Sequence, residues 1–354
     1  MSYVNLSSHR RMALDAVRND AYARALGQVI GPETVVLDLG AGIGVHGLIA
    51  AKLGARRVYL IEQEDIIAIA DENIRANAMQ DVVSCVHGRI ENVDLPERVD
   101  VIVSVLTGNF LLSEDLIPSL LYARDRFLKP GGTMIPSTAT MSVVPVSASR
   151  LFETEIACWS VREHGIDLGP ARPYAANTVL FRNQDMSEIR DLAEPVVVHA
   201  LDFQCGDYTP LSADVSVTIA QSGMCHGWVG WFVMKLGDQD LSTSPRAKRT
   251  HWSAAFLPLD PPVTVEKGEQ VAFHLARAPF DEWSWSMKSR SGTQRHASLF
   301  SMPMKASTLQ KASVEHVPKL TREGHALAFV LSRCDTIRKI YCGRRTRSEL
   351  PRFM

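Results

Sequence analysis

Between residues 34 and 136 short apolar runs rich in Val, Ile and Leu alternate with stretches of helical periodicity. Strand-like runs fall at 34–39, 58–62, 82–87, 99–105 and 133–136, and helix-like stretches at 44–53, 66–77 and 116–128. Alternating β and α segments imply a parallel sheet covered on both faces, because each crossover between parallel strands needs a helix to bring the chain back. The expectation is an α/β fold with a doubly wound, Rossmann-like domain over residues 31–145, preceded by helices in residues 1–30. After Pro145 the texture changes. The runs 195–203, 215–219, 227–235, 252–257 and 270–276 are short, alternate apolar with polar, and are separated by Gly, Pro, Asp and Ser. They predict antiparallel strands of a β-barrel or sandwich over residues 146–305. The stretch 151–181, with Trp159 and Tyr174, interrupts that pattern with helix-like or irregular sequence. Residues 311–354 hold ten Lys or Arg against four Asp or Glu around an apolar helical segment, 326–340. Residues 306–354 therefore read as a basic C-terminal appendage rather than a third domain.

A chain of 354 residues with 46% hydrophobic residues is long enough for two domains with substantial cores. Its 38 basic and 39 acidic residues leave a formal charge of −1, so no global field draws it to nucleic acid or to an anionic membrane. No run approaches the roughly 20 apolar residues that span a bilayer, and the N-terminus lacks a signal-peptide core. The expectation is a soluble cytoplasmic protein. The six cysteines are scattered, without a C-x-x-C pair or a His/Cys cluster at zinc-site spacing, so reduced thiols and no metal are expected.

The strand at 35–39 runs into Gly40-Ala41-Gly42-Ile43-Gly44 and then a helix, a turn whose small residues let a ligand approach the backbone at the strand's carboxyl end. A dehydrogenase uses a similar turn for pyrophosphate. Glu62 ends the next strand, about twenty residues after the glycines, where its carboxylate can accept both ribose hydroxyl protons; this too is shared by both classes. What separates them is Asp38, which completes D-x-G-x-G-x-G, together with the run Gly88-Arg89-Ile90-Glu91. These resemble the class I S-adenosylmethionine-dependent methyltransferases, and the resemblance implies that Glu91 accepts a hydrogen bond from the adenine amino group.

Further motifs resemble the protein arginine methyltransferase family over almost the whole chain up to about residue 305. The run from His9 to Arg18 is similar to the family's short helix over the cofactor, which implies that Arg18 pairs with the methionine carboxylate, with His9 beside it. A guanidinium suits that role because it binds two oxygens at once. Tyr3 falls on the second tyrosine of the family's N-terminal lid. The loop from Ser104 to Glu114 resembles the family's double-glutamate loop through Gly108, Phe110-Leu111-Leu112 and Glu114. Leu241 to Pro245 and Thr250-His251-Trp252 match the barrel segment that reaches back to the active site. The resemblance implies that His251 bonds Asp15, that Trp252 walls the substrate channel, and that Asp15, Glu114 and His251 meet at one catalytic site. It also assigns residues 151–181 to a dimerisation arm, hence a homodimer.

The loop departs from the family at Val105, Leu106, Thr107 and Asn109, and Val105 stands where the first clamp glutamate belongs. Arginine is a difficult acceptor, since its guanidinium stays protonated and its lone pairs are delocalised. Losing one of two carboxylates removes a charge-assisted hydrogen bond worth about 1.5–3 kcal/mol and makes that wall apolar. Three readings follow. The chain transfers a methyl group to a nitrogen of a small-molecule or otherwise non-standard acceptor; or it methylates peptidyl arginine with another acid, such as Asp115, replacing the missing one; or it is a catalytically weak scaffold that binds S-adenosylmethionine. On the two enzymatic readings, Val105, Asn109, Glu114, Trp252 and Tyr3 face the acceptor.

Overall fold

The computed structural model describes residues 6–182, 188–278 and 282–298. Tyr3 and the basic appendage at 306–354 lie outside the described residues.

Two helices, α1 (Leu6–Ala13) and α2 (Ala16–Val29), precede a run of alternating elements. These are β1 (Val35–Leu39), α3 (Val45–Lys52), β2 (Arg57–Glu62), α4 (Ile67–Ala76), β3 (Val83–His87), β4 (Val99–Ser104), α5 (Ile117–Phe127) and β5 (Leu128–Ile135). The five strands form one parallel sheet in the order β3-β2-β1-β4-β5. All five residues of β1, Asp38 included, are buried, as a central strand covered by helices on both faces requires. Strand order reverses beside β1, since β2 continues on one side and β4 on the other. In such a sheet the crevice at the strands' carboxyl ends is where ligands bind.

The second region comprises β6 (Thr138–Ser147), α6 (Ser149–Glu155), β7 (Arg162–Glu163), β8 (Ile166–Asp167), α7 (Arg172–Ala176), β9 (Leu180–Arg182), β10 (Arg190–Asp191) and β11 (Val196–Asp202). It continues with β12 (Ser212–Thr218), β13 (Gly223–Leu236), β14 (Gln239–Ser242), β15 (Ala254–Val265), β16 (Gln270–Ala278), β17 (Glu282–Ser289) and β18 (Gly292–Ala297). A seven-stranded antiparallel sheet has the spine β10-β6-β13-β15-β9, with β11 on β6 and β14 on β13; a four-stranded sheet runs β12-β16-β17-β18. The two pack into a barrel-like core where Trp228 of β13 stacks on Phe273 of β16, ring centroids 4.1 Å apart. Both rings are buried, and such a stacked pair contributes about 0.5–1.5 kcal/mol beyond its buried area.

The domain boundary differs from the expected 145/146. Strand β6 pairs with β13 from Thr138 onward, so the barrel begins two residues after the last parallel strand and takes in residues assigned above to the Rossmann-like part. The sequence hides this because the partner strand lies far along the chain. The helical interruption at 151–181 is present as α6, the β7–β8 hairpin and α7. Trp159, Val161 and Ile166 are exposed on it, and Arg172 ties its far end to the barrel by two bonds to Asp260, 2.7 and 2.8 Å. No helix among the described residues is long and apolar enough to cross a membrane.

Candidate active site

A cavity of about 220 Å³ opens at the carboxyl ends of the parallel strands, between α1, the loop after β4 and the barrel segment before β15. One end is built almost entirely from β1, β2, β3 and the turns that follow them. Gly40 and Gly42 line it with positive φ (71° and 56°), which side-chain-bearing residues rarely adopt. Space is equally restrictive, since a Cβ on Gly40 would lie 2.6 Å from Leu106 and one on Gly42 3.0 Å from the His9 ring. Glu62 receives the backbone N–H of Gly42 at 2.9 Å on one carboxylate oxygen and that of Glu64 at 3.0 Å on the other. Each oxygen retains a second lone pair for a hydroxyl. Glu91 sits at the rim on the turn Ile90–Asn92, where Ser119 donates to it at 2.6 Å. That hydrogen bond holds the Glu91 carboxyl below its ordinary value, so it faces a ligand as an acceptor.

Asp38 and Gly44 do not line the cavity. Asp38 is buried beneath the turn and accepts the Gly47 N–H at 2.7 Å, bracing the start of α3. Burial pushes its carboxyl up to about 7. Gly44 caps α3 in the left-handed conformation, and a Cβ there would meet Leu60 at 3.0 Å. Both residues shape the turn from behind.

Helices α1 and α2 close the other side. Asp15 caps α2 by accepting the Arg18 N–H at 3.0 Å, an arrangement worth about 1 kcal/mol. Its second oxygen accepts the His251 backbone N–H at 2.7 Å and bonds His251 Nδ1 at 3.0 Å. Burial raises the Asp15 carboxyl, but the bonds from the His251 ring and from the two backbone N–H groups outweigh it and hold the group below its ordinary value. Asp15 thus stands behind His251 and orients it without lining the cavity. Burial, reinforced by the Arg18 and Arg11 charges, depresses the His251 imidazole despite Asp15, so it is neutral near pH 7. Arg18 is buried and faces the cavity, its Nη2 donating to Met12 O at 2.5 Å and its Nε and Nη2 reaching Asn19. His9 is buried over the glycine turn.

The loop after β4 carries the residues expected to face the acceptor in an unusual backbone. Phe110, Leu111, Glu114 and Asp115 all have positive φ (48°, 63°, 77° and 54°), each costing about 1–3 kcal/mol. Barrel contacts impose the shape. Trp252 donates from Nε1 to Thr107 O at 3.0 Å, and Ser253 N–H to Asn109 Oδ1 at 2.9 Å. Phe110 stacks on Trp283 at 5.3 Å and fills the space left by Gly230, whose Cβ would come within 2.4 Å of that ring. Arg277, its side chain 2% exposed, bonds Asp115 at 2.7 Å. Val105, Leu106, Asn109, Glu114, His251 and Trp252 all line the cavity, so the structure brings together those expected acceptor residues that lie among the described ones. Asp115 does not join them; Arg277 holds it outside. Asn109 serves in part as a strap to the barrel. Sequence reasoning missed His46, Ser119 and Arg11. The signal for His46 was a histidine in the glycine turn's helix start: it is buried, lies 4.6 Å from Tyr22 and finds no partner for Nε2 among the described residues.

Two family models match. One, the arginine methyltransferase oligomerization subdomain, covers residues 137–288, and the other, ribosomal protein L11 methyltransferase, covers 22–142. Protein arginine N-methyltransferase 6 of Xenopus laevis is 30% identical over 292 residues, 79% of this chain and 86% of that protein. The chain belongs to the protein arginine methyltransferase family. A probable protein arginine N-methyltransferase 6.1 of Oryza sativa subsp. indica is 31% identical over 309 residues, covering 76% of this chain and 80% of the relative. Among solved structures, Arabidopsis thaliana protein arginine methyltransferase 10 superposes with a TM-score of 0.71 at 26% identity, over 84% of this chain and 99% of that one. A Trypanosoma brucei enzyme–prozyme complex with AdoHcy reaches 0.76 at 24% identity over the same shares, a likeness of fold. This member of the family is a methyltransferase that uses S-adenosylmethionine, and its cavity fits that group: the glycine turn leaves room for a ligand, while Arg18, Glu62 and Glu91 would hold its carboxylate, ribose and adenine.

Proposed function

We propose that the chain methylates a nitrogen acceptor other than the unmodified guanidinium of a peptidyl arginine, held by Glu114 as the single clamp carboxylate. Val105 carries this reading. It lines the cavity beside Leu106 where a second carboxylate would be needed to hold and polarise a guanidinium, and Asp115 is engaged by Arg277. When bound, S-adenosylmethionine supplies an electrophilic methyl group; the protein must place an acceptor lone pair about 3 Å from it, opposite sulfur. Glu114 orients the acceptor nitrogen, and Trp252 and Val105 close its flanks. Asp15 accepts Nδ1–H of His251, which leaves the lone pair on Nε2 to take up the acceptor's proton. The retained Asp15–His251 pair speaks against a scaffold, which has no chemical use for it.

The relatives' names support a second reading, peptidyl arginine with a substituted clamp, and lend none to a small-molecule acceptor. Radiolabelled S-adenosylmethionine decides between them. The wild-type protein is offered arginine, lysine and histidine peptides together with amine metabolites. Label should enter arginine-free acceptors, and Val105→Glu should move it toward arginine peptides by about tenfold. Wild-type labelling of arginine peptides in preference to everything else would sink the proposal. The exposed Trp159, Val161 and Ile166 and the match to an oligomerization subdomain further support a homodimer formed through the arm.

A further inference from the structure

The cavity contains a cation that methyl transfer does not require. Arg11, in the last turn of α1, is exposed and lines the same cavity as Val105, Glu114 and His251. It lies close enough to His251 for its charge to oppose protonation of that ring. Among the described residues no hydrogen bond or ion pair engages the Arg11 guanidinium. Arg18 differs: it is buried and tied to Met12 O and Asn19 Oδ1.

Asp15 is matched by its bonds to His251, Asp115 is engaged by Arg277 away from the cavity, and Val105 and Leu106 are apolar. Of the carboxylates lining the cavity, Glu62, Glu64 and Glu91 lie at or after the ends of β2 and β3, and Glu114 lies on the loop after β4 with Val105. A cationic side chain entering beside Val105 meets the Glu114 carboxylate and, in the same cavity, the Arg11 guanidinium. An acceptor carrying both a nucleophilic nitrogen and an anion meets a partner for each, because a planar guanidinium binds carboxylate and phosphate oxygens in pairs.

We propose that Arg11 binds an anionic group, carboxylate or phosphate, carried by the methyl acceptor near its nucleophilic nitrogen. The acceptor class is then an anionic or zwitterionic nitrogen compound. This rests on the reading of the acceptor end given above, and Arg11 acts in it as a specificity residue, with Glu114 and His251 serving the transfer itself.

The test is calorimetric and independent of turnover. Protein saturated with S-adenosylhomocysteine is titrated with matched pairs that differ in the anion: histidine and histamine, arginine and agmatine, phosphoethanolamine and ethanolamine. The carboxylate- or phosphate-bearing member of a pair should bind at least about tenfold more tightly, and the pair that responds identifies the anion. Arg11→Glu should erase that gap and leave S-adenosylhomocysteine affinity unchanged. Equal or weaker binding by all the anionic members, no binding by any of them, or a preference that survives Arg11→Glu overturns the proposal. A parallel loss of S-adenosylhomocysteine affinity also overturns it, by assigning Arg11 to the cofactor. Label entering arginine peptides in the transfer assay refutes the acceptor reading on its own, whatever the calorimetry shows.

Discussion

The two ends of one cavity are built by opposite means. At the cofactor end the decisive contacts are short in sequence: Asp38 to Gly47 spans nine residues, Glu62 to Gly42 twenty, Glu62 to Glu64 two. At the acceptor end the hydrogen bonds span 144, 145, 162 and 236 residues, each joining the barrel to the Rossmann-like part or to the helices before it. The first end is a property of a turn between two strands. The second exists only when two regions dock, and its loop holds four positive-φ residues that barrel contacts must keep in place. Donor recognition is thereby insulated from change, while the acceptor pocket can be remodelled by a few loop residues without disturbing the glycine turn.

If that division is right, perturbations should separate cleanly. The largest effect is expected from Glu62→Ala, which removes a ribose acceptor and the brace on Gly42 and Glu64. Affinity for S-adenosylhomocysteine, measured by calorimetry, should fall by roughly 100-fold. A variant that binds like the wild type would break the comparison at its firmer end. Next comes Asp15→Ala, which sits on both sides. Loss of the cap should lower stability by about 1 kcal/mol in urea unfolding. The misoriented His251 should cut kcat by about 10²-fold or more, with a smaller change in cofactor affinity. An unchanged kcat would remove His251 from proton handling.

The smallest effects concern pH, and the two ends should respond in opposite directions. Asp38 is raised to about 7 in the folded protein against an ordinary 3.8, so the folded state holds its proton more tightly and this contribution to stability fades as pH rises across that window. Asp38→Asn should flatten the stability profile between pH 5 and 8 in urea unfolding; an unaltered slope rules the assignment out. His251 is depressed below the ordinary 6.5, so its neutral form persists through neutrality. The rate should hold steady from pH 8 down to 6.5 and decline only below it. A decline that begins above pH 7 would mean that another group titrates.

The contrast also explains what the sequence disclosed. Apolar runs and the glycine turn marked the five parallel strands, and Glu62, Glu91, Arg18 and His9 were legible because motif spacing within a strand–turn–helix unit fixes their places. Asp38 and Gly44 belong to the same motif but act from behind it, a difference in depth that a linear pattern does not encode. Strand β6 was credited to the wrong region because its pairing with β13 is long-range. On the acceptor side, family spacing put Glu114, His251 and Trp252 together, and the three line one cavity. It gave no hint that Arg277 would claim Asp115, since both partners look like ordinary surface charges until the barrel closes.

Asp15 remains the point where the two ends touch. One carboxylate starts the helix that carries Arg18 and also holds the ring of His251. Anything that firms up the beginning of α2 therefore firms up the His251 ring as well, and the linkage runs both ways by thermodynamic necessity. In kinetic language, donor and acceptor compete for no atom yet share one latch, so loading the first should prepare the cavity to grip the second.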